Sequence, residues 1–470
     1  MSIEFIGVAA LICGLCCLLW FDRFKFDLLM LATLLGSSAA LVFPTLAISI
    51  QPAHLLLAIF LLALLASDDV RRHAFEAFGF GAPGFWLLAA MIYGASGALL
   101  FPRLFSGVTY VNAIGVTAAG FSFVPTPLGP ASGNLTQTIY FVGDLAMFAI
   151  TYAWAQDKRG RHAFQRALIV YAAGNIIFAL ADIVTFWTGT GFLLDFMRNA
   201  AYTMHNETVV YDLKRIVGSF TEASAFAYAS IGALAAMLSL WLDGVKPRLT
   251  LPLALTTFIL LMLSTSSTAY GATPIVLGVM FCAAVLRTIY GRVTTQTVAF
   301  ILFTPLLLGL AVLALLQMPN LLEIVARYAD VLVLDKSNSA SAIERSEWNA
   351  TALRNFYDTY GLGVGVGSAR ASSFPLAVLA NLGAFGALTY GIFLAKILSR
   401  GAAPAMSNDD AASYAAARWS CFALLVASSV SGALIDLGLP FFITAGFASA
   451  QRSKMMSRYR PLLAAKFANA

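Results

Sequence analysis

The chain has 470 residues, 60% of them hydrophobic and 11% charged, with a mean hydropathy of +0.82. So few polar side chains cannot cover a water-soluble surface of that size, so a soluble enzyme is excluded and an all-α polytopic membrane protein in a lipid bilayer is expected. The net charge of +6 is accounted for by basic residues in short segments between apolar runs, so no nucleic acid is expected as a partner.

Apolar runs of about 20 residues, enough to cross roughly 30 Å of hydrocarbon, recur along the chain. In order they predict spans over 3–20, 27–44, 51–67, 84–101, 136–155, 167–187, 223–242, 250–264, 268–286, 295–317, 376–397 and 416–436, with a shorter one at 438–450. This is one transmembrane domain, 1–470, of about 12–13 helices. The first run opens Met1-Ser-Ile-Glu4 without a basic leader or a small-residue cleavage site, so it reads as a retained helix. All five cysteines fall inside predicted spans, and the Cys13-x-x-Cys16 spacing reads as packing. The four histidines form no ligand pair, so no metal site is expected.

Placing 21–26 in the cytoplasm makes every second loop cytoplasmic, and those loops with the C-terminal tail hold 20 of the 29 basic residues. The other nine, Arg103, Arg198, Lys214, Arg215, Arg327, Lys336, Arg345, Arg354 and Arg370, fall on the outer side. Cations there work against the insertion bias. Three outer segments are long, 102–135, 188–222 and 318–375, and these are where chemistry is expected.

The segment 102–135, with Pro125-Thr-Pro127-Leu-Gly129-Pro130, reads as a stretch that dips into the membrane and returns. In 188–222, Phe192 to Arg198 reads as a helix at the membrane interface, and Lys214-Arg215 precedes a helix N-terminus whose free N–H groups favour a phosphate. Glu222 either complements that helix dipole or accepts a proton from a sugar hydroxyl. Ser264-Thr-Ser-Ser-Thr268-Ala-Tyr270-Gly271 joins two spans, its hydroxyls serving the local backbone or touching sugar. Asp144 and Asp182 lie within spans and Asp436 near a span end, with no basic partner evident in the spans. Each is either a structural group or part of a proton relay.

In the large outer loop, 318–375, Pro319 to Tyr328 reads as an amphipathic helix on the membrane surface. Ser341 and Glu344 form a capping-box pattern for a second helix over 342–357. On that helix Arg345 shares a face with Trp348, Ala352 and Phe356, whereas Glu347, Thr351 and Arg354 lie opposite. A cation on the packing face needs an anion, either a ligand phosphate or a carboxylate of the protein. Gly361, Gly363, Gly365 and Gly367 permit left-handed backbone and deliver Ser368 and Arg370 to the next span.

Taken together, Arg215-Ile-Val-Gly218-Ser-Phe220-Thr-Glu222-Ala-Ser224, the Ser264–Gly271 segment, and Arg345 through Gly367-Ser-Ala-Arg370 ahead of Leu379-Ala-Asn381-Leu-Gly383 resemble the O-antigen ligase/polymerase superfamily. These are the Wzy, WaaL and ExoQ-like membrane glycosyltransferases, and the resemblance spans roughly the last two-thirds of the chain. It implies a GT-C-like helical fold in the bacterial inner membrane with its active face periplasmic. It also implies a donor glycan on undecaprenyl pyrophosphate and no nucleotide sugar, metal or other cofactor. A polysaccharide chain-length regulator and a flippase are the protein partners that fit such a pathway. On this reading Arg215 and Arg345 neutralise the pyrophosphate leaving group, with Glu222 as base. Lys214, Arg370, Trp348, Ser368 and Tyr270 contact substrate.

Many ligases of the superfamily carry a histidine between the glycine-rich turn and the next span, where this chain reads Ser368-Ala-Arg370-Ala-Ser-Ser. The departure favours a polymerase of exopolysaccharide or O-antigen repeat units over a ligase. The competing class is a transporter or flippase for lipid-linked sugar, and a non-enzymatic assembly partner is a third. No internal repeat of the transporter kind is evident.

Overall fold

A computed structural model describes residues 2–43, 48–114, 125–200, 209–210, 213–290, 293–317, 340–399 and 407–450. The surface helix expected at 319–328, the basic tail and part of the expected dip in 102–135 lie outside the described residues, as do Arg292, Arg327, Lys336, Arg400 and His205.

Among the described residues, six helices are long and apolar enough to cross a membrane, as a polytopic membrane protein requires. They are Pro83–Leu104, Ser132–Ala155, Lys158–Trp187, Ala223–Leu242, Ser267–Ile289 and Phe374–Leu398. Shorter apolar helices, Phe5–Leu19, Pro52–Leu62, Pro247–Leu263, Thr295–Leu310 and Leu439–Ala450, pack beside them. The outward faces carry large apolar side chains such as Ile92, Leu99, Ile177, Val184, Ile259 and Ile275. A helix apolar on its outer face as well as its inner one suits a hydrocarbon solvent.

We label α1 Phe5–Leu19, α2 Lys25–Thr33, α3 Pro52–Ala66, α4 Asp68–Glu76, α5 Pro83–Leu104, α6 Ser132–Ala155, α7 Lys158–Trp187 and α8 Ala223–Leu242. Then come α9 Pro247–Leu263, α10 Ser267–Ile289, α11 Thr295–Gln317, α12 Ala340–Asp358, α13 Phe374–Leu398, α14 Asn408–Ser431 and α15 Leu439–Ala450. The most enclosed is α8, whose alanines, serines and Gly232 let α14 approach closely. A Cβ on Gly232 would meet Leu424 Cδ2 at 2.7 Å. Small residues at such a seam let dispersion contacts replace the missing hydrophobic drive between helices in lipid. Phe164 stacks on Phe447 at 3.7 Å, and Phe393 lies between Tyr390 and Phe442, filling the middle of the bundle with aromatic rings.

Two expected spans are shorter than their hydropathy. The run at 27–44 is helical only as α2, because Gly36-Ser37-Ser38 turns the chain. Leu41–Phe43 then pairs antiparallel with Ser2–Ile3 and Ile48–Ile50, so the fold is not wholly α-helical. The run at 416–436 ends as a helix at Ser431. After the Gly432 N–H closes the helix on Ser428 O, residues 433–438, with Gly438 at φ +77°, cross to α15 in non-helical backbone, and Asp436 lies in this unwound stretch. Non-helical backbone at such depth is tolerated where protein surrounds it, and here Ala433 O accepts the Ala371 N–H at 3.1 Å. The interfacial helix expected at 192–198 is a short 3-10 helix, Gly191–Met197.

Candidate functional site

The early stop of α2 prepares a platform for the segment that follows α7. Ser37 Oγ donates to Met197 O at 2.9 Å and to Ser219 O at 3.0 Å, Ser38 Oγ donates to Met197 O at 2.6 Å, and Ser219 Oγ donates to Leu34 O at 2.6 Å. From below, Asp182 on α7 holds both sides of the same segment. Its Oδ1 lies 2.6 Å from Arg198 Nη2 and 2.6 Å from Lys214 Nζ, while its Oδ2 accepts the N–H groups of Val217 at 2.9 Å and Gly218 at 3.1 Å. Asp182 therefore has two basic partners after all; they come from the outer segment, which is why no span displayed them. Lys214, expected at a phosphate, is buried against this carboxylate and 5.2 Å from the Phe186 ring. It shares that carboxylate with Arg198.

Arg215, the next residue, is half-buried and has different charged neighbours. Burial lowers the pKa of its guanidinium, Glu222 draws it back up, Arg345 pushes it down and Tyr270 raises it, so these four groups lie within electrostatic reach of one another. A guanidinium stays protonated through such shifts. Arg215 Nε is buried without a hydrogen-bond partner among the described residues. Among the described residues, no carboxylate forms an ion pair with Arg215, Arg345 or Arg370. Glu222 is the N-cap residue of α8. Its side chain leaves the helix N–H groups alone, is exposed, and accepts a hydrogen bond from Ser224 Oγ. Tyr270 OH donates to Met262 O at 2.8 Å across the α9–α10 turn.

Helix α12 brings Arg345 to the cluster. The capping-box expectation placed its start at 342; the helix begins at Ala340, with Ser341 inside its first turn. The predicted separation of faces holds for the charges: Arg345 is half-buried and Arg354 exposed. The inner face is fixed by Ala352, packed on Ala371, Ala377 and Ala380, and by two asparagines. Asn355 Nδ2 donates to Thr109 Oγ1 at 3.0 Å and Tyr110 O at 2.7 Å, and Asn349 Oδ1 accepts the Ser372 N–H at 2.8 Å. Arg370 places its guanidinium 5.3 Å from the Trp348 ring centroid. Burial lowers its pKa, Glu344 offsets part of the shift, and its Nε has no hydrogen-bond partner among the described residues. An arginine on an aromatic face is suited to an anionic, sugar-bearing ligand.

The glycine-rich turn sets these positions by close packing. Gly367 has φ +78°, and a Cβ there would fall 2.1 Å from Gly133 O. Ser368, expected at substrate, is 1% exposed: its hydroxyl donates to Val364 O at 2.9 Å and accepts from Asn134 Nδ2 at 2.8 Å. It is a structural pin rather than a ligand contact, because the approach of Gly367 to α6 seals it in. Asn381 completes the anchor, donating to Ala369 O at 2.7 Å and Ala377 O at 2.9 Å and accepting the Ala369 N–H at 3.2 Å.

Sequence reasoning passed over these buried asparagines, although a lone amide in an apolar run is a legible sign of a loop tied to a helix. It also missed that Asp144, 1% exposed on α6, lies within electrostatic reach of Asp436 in the unwound stretch. Tyr228 OH donates to Leu437 O and Tyr390 OH to Ile435 O at 3.2 Å, so that stretch is held from α8 and α13. Comparison with protein-family models, with characterised proteins and with solved structures finds no match to this chain.

Proposed function

We propose that the chain is a membrane glycosyltransferase of the polymerase type, which transfers a glycan from undecaprenyl pyrophosphate to the end of a second lipid-linked repeat unit. The observation that carries this reading is the convergence of Arg215 and Arg345, from segments far apart in sequence, with no carboxylate in ion-pair range among the described residues. Two half-buried cations side by side repel one another, and a doubly charged pyrophosphate relieves both. Trp348 under Arg370 supplies an apolar ring for a sugar face, and Glu222 supplies a carboxylate beside the cations.

In the proposed step the acceptor hydroxyl attacks the anomeric carbon from the face opposite the pyrophosphate. A new C–O bond forms, the bond from that carbon to the phosphate oxygen breaks, and its electron pair leaves with the pyrophosphate beside Arg215 and Arg345. The hydroxyl proton passes to the Glu222 carboxylate, and the anomeric configuration inverts. Charge that develops on the leaving oxygens is met by positioned cations, which is where an electrostatic site lowers a barrier most.

The reading requires a GT-C-like bundle of about 12–13 spans in the bacterial inner membrane, with the site on the periplasmic face. The test is reconstitution: purified protein given lipid-linked repeat unit alone lengthens it without ATP, nucleotide sugar or divalent metal. Movement of the lipid across vesicles with no elongation would instead make the protein a transporter, and capping of a lipid A core acceptor would make it a ligase.

A further inference from the structure

The strongest structural device near the arginine cluster touches no proposed ligand. Asp182 lies on α7, 1% exposed, and its two oxygens take four partners drawn from both ends of the segment that precedes α8. Arg198 comes from the beginning of that segment, and Lys214, Val217 and Gly218 come from its end. Arg198 Nη2 also donates to Gly218 O at 2.8 Å, so the two ends are tied directly as well as through the carboxylate. Arg215 sits between Lys214 and Val217, both gripped by Asp182. Gly218 has φ +57°, which turns the chain so that both N–H groups reach Oδ2.

We propose that Asp182 is the positioning residue for Arg215, fixing the backbone on either side of it so that its guanidinium is aimed at the anion shared with Arg345; this inference rests on the pyrophosphate reading above. The chemistry follows from what the clamp excludes. Lys214 and Arg198 are both held at ion-pair distance by Asp182, which directs them to the fold rather than to a ligand phosphate. With the backbone N–H groups of Val217 and Gly218 also directed to Asp182, Arg215 is, among the described residues, the cation of this segment that no carboxylate holds at ion-pair distance. Holding such a group before ligand arrives removes the entropy of ordering it on binding.

The experiment combines two readouts on the full chain in nanodiscs, using undecaprenyl pyrophosphate as the probe. The first is backbone hydrogen exchange in peptides covering 213–219. In Asp182→Asn the amide keeps the volume and one acceptor oxygen but loses the charge that holds Arg198 and Lys214. Exchange at Val217 and Gly218 is expected to rise at least tenfold while peptides from α8 stay unchanged. The second is a double-mutant cycle on probe affinity. Arg215→Ala and Asp182→Asn are each expected to weaken binding about tenfold or more, the loss expected for one charge-assisted hydrogen bond. The double variant should be no weaker than Arg215→Ala alone, because a positioning residue has nothing left to position.

Additive losses would overturn the inference while leaving the pyrophosphate reading intact, since Asp182 would then act through general stability. Unchanged exchange at 217–218 would overturn it as well. Failure of Arg215→Ala to weaken the probe would instead strike the pyrophosphate reading, and the exchange data would still report on the clamp. Should Asp182→Asn not fold, Arg198→Gln opens the same clamp from its other side and is held to the same two outcomes.

Discussion

Replacing Gly367 by alanine tests whether the arginine-bearing turn is held by the close approach of two backbones. The residue has φ +78°, and its Cβ would lie 2.1 Å from Gly133 O, 2.5 Å from Gly133 C and 2.9 Å from Asn134 N. All three are backbone atoms of α6, so no side chain can swing aside. Left-handed backbone costs an alanine about 1–2 kcal/mol, and forcing a methyl into a filled site costs about 1–3 kcal/mol, giving a loss of roughly 2–5 kcal/mol. Gly391 is the internal control: it lies in α13 with nothing within 4 Å of its Cβ position, and alanine in a helix interior is favoured by about 0.5–1 kcal/mol. Thermal unfolding of the detergent-purified protein, followed by tryptophan fluorescence and size-exclusion retention, is expected to show Gly367→Ala melting several degrees lower and Gly391→Ala melting at or above the parent. Equal melting temperatures for the parent and Gly367→Ala would refute the packing argument, because no relaxation of side chains could absorb a clash with backbone.

Arg345→Ala is expected to lower the elongation rate by about 100-fold to 1,000-fold, the loss typical of one positioned donor at a developing oxyanion, whereas exposed Arg354→Ala stays within about twofold; equal effects in the initial rates would erase the distinction between the two faces of α12. Asp410→Ala strands Arg161, whose Nε lies 3.0 Å from Asp410 Oδ2 in a pair with side-chain exposures of 9% and 12%. That loss is expected to cost about 3–5 kcal/mol, read as a drop in melting temperature that Asp410→Glu partly restores. In a background without the native cysteines, Ser346→Cys on α12 is expected to react with a membrane-impermeant maleimide in intact cells, and Arg71→Cys on α4 only after permeabilisation. The reverse pattern would invert the proposed orientation.

Helix positions were readable because hydropathy reports them directly: α5, α8, α9, α10, α11 and α13 lie close to the predicted spans. Where the reading failed, the composition was ambiguous. Leu28 to Phe43 is apolar enough for a span, but hydropathy does not weigh the turn at Gly36-Ser37-Ser38 or the strand pairing that competes with a helix. At 432–438 the determinants are the two glycines and contacts from α8, α13 and the Arg370 turn, and those contacts are visible only in three dimensions. The face of α12 followed from its period, which is why Arg345 and Arg354 were told apart. The site was legible as a set of candidate residues and illegible as a pairing scheme. Helix period and topology place a cation on a side of the membrane or a face of a helix, but they do not say which carboxylate will be nearest.

That pairing scheme separates the outer cations by role. Lys214 and Arg198 share Asp182, so each is tied to the fold. Arg215, Arg345 and Arg370 have no acidic partner at ion-pair distance among the described residues, and burial lowers the pKa of Arg215 and Arg370. Leaving a buried donor unsatisfied costs about 1–3 kcal/mol, more for a charged group, and in the proposed reading an arriving anion offsets that cost. Charge alone would have ranked Lys214 beside Arg215. The carboxylate on α7 takes the one for structure and, in the proposed reading, leaves the other for ligand.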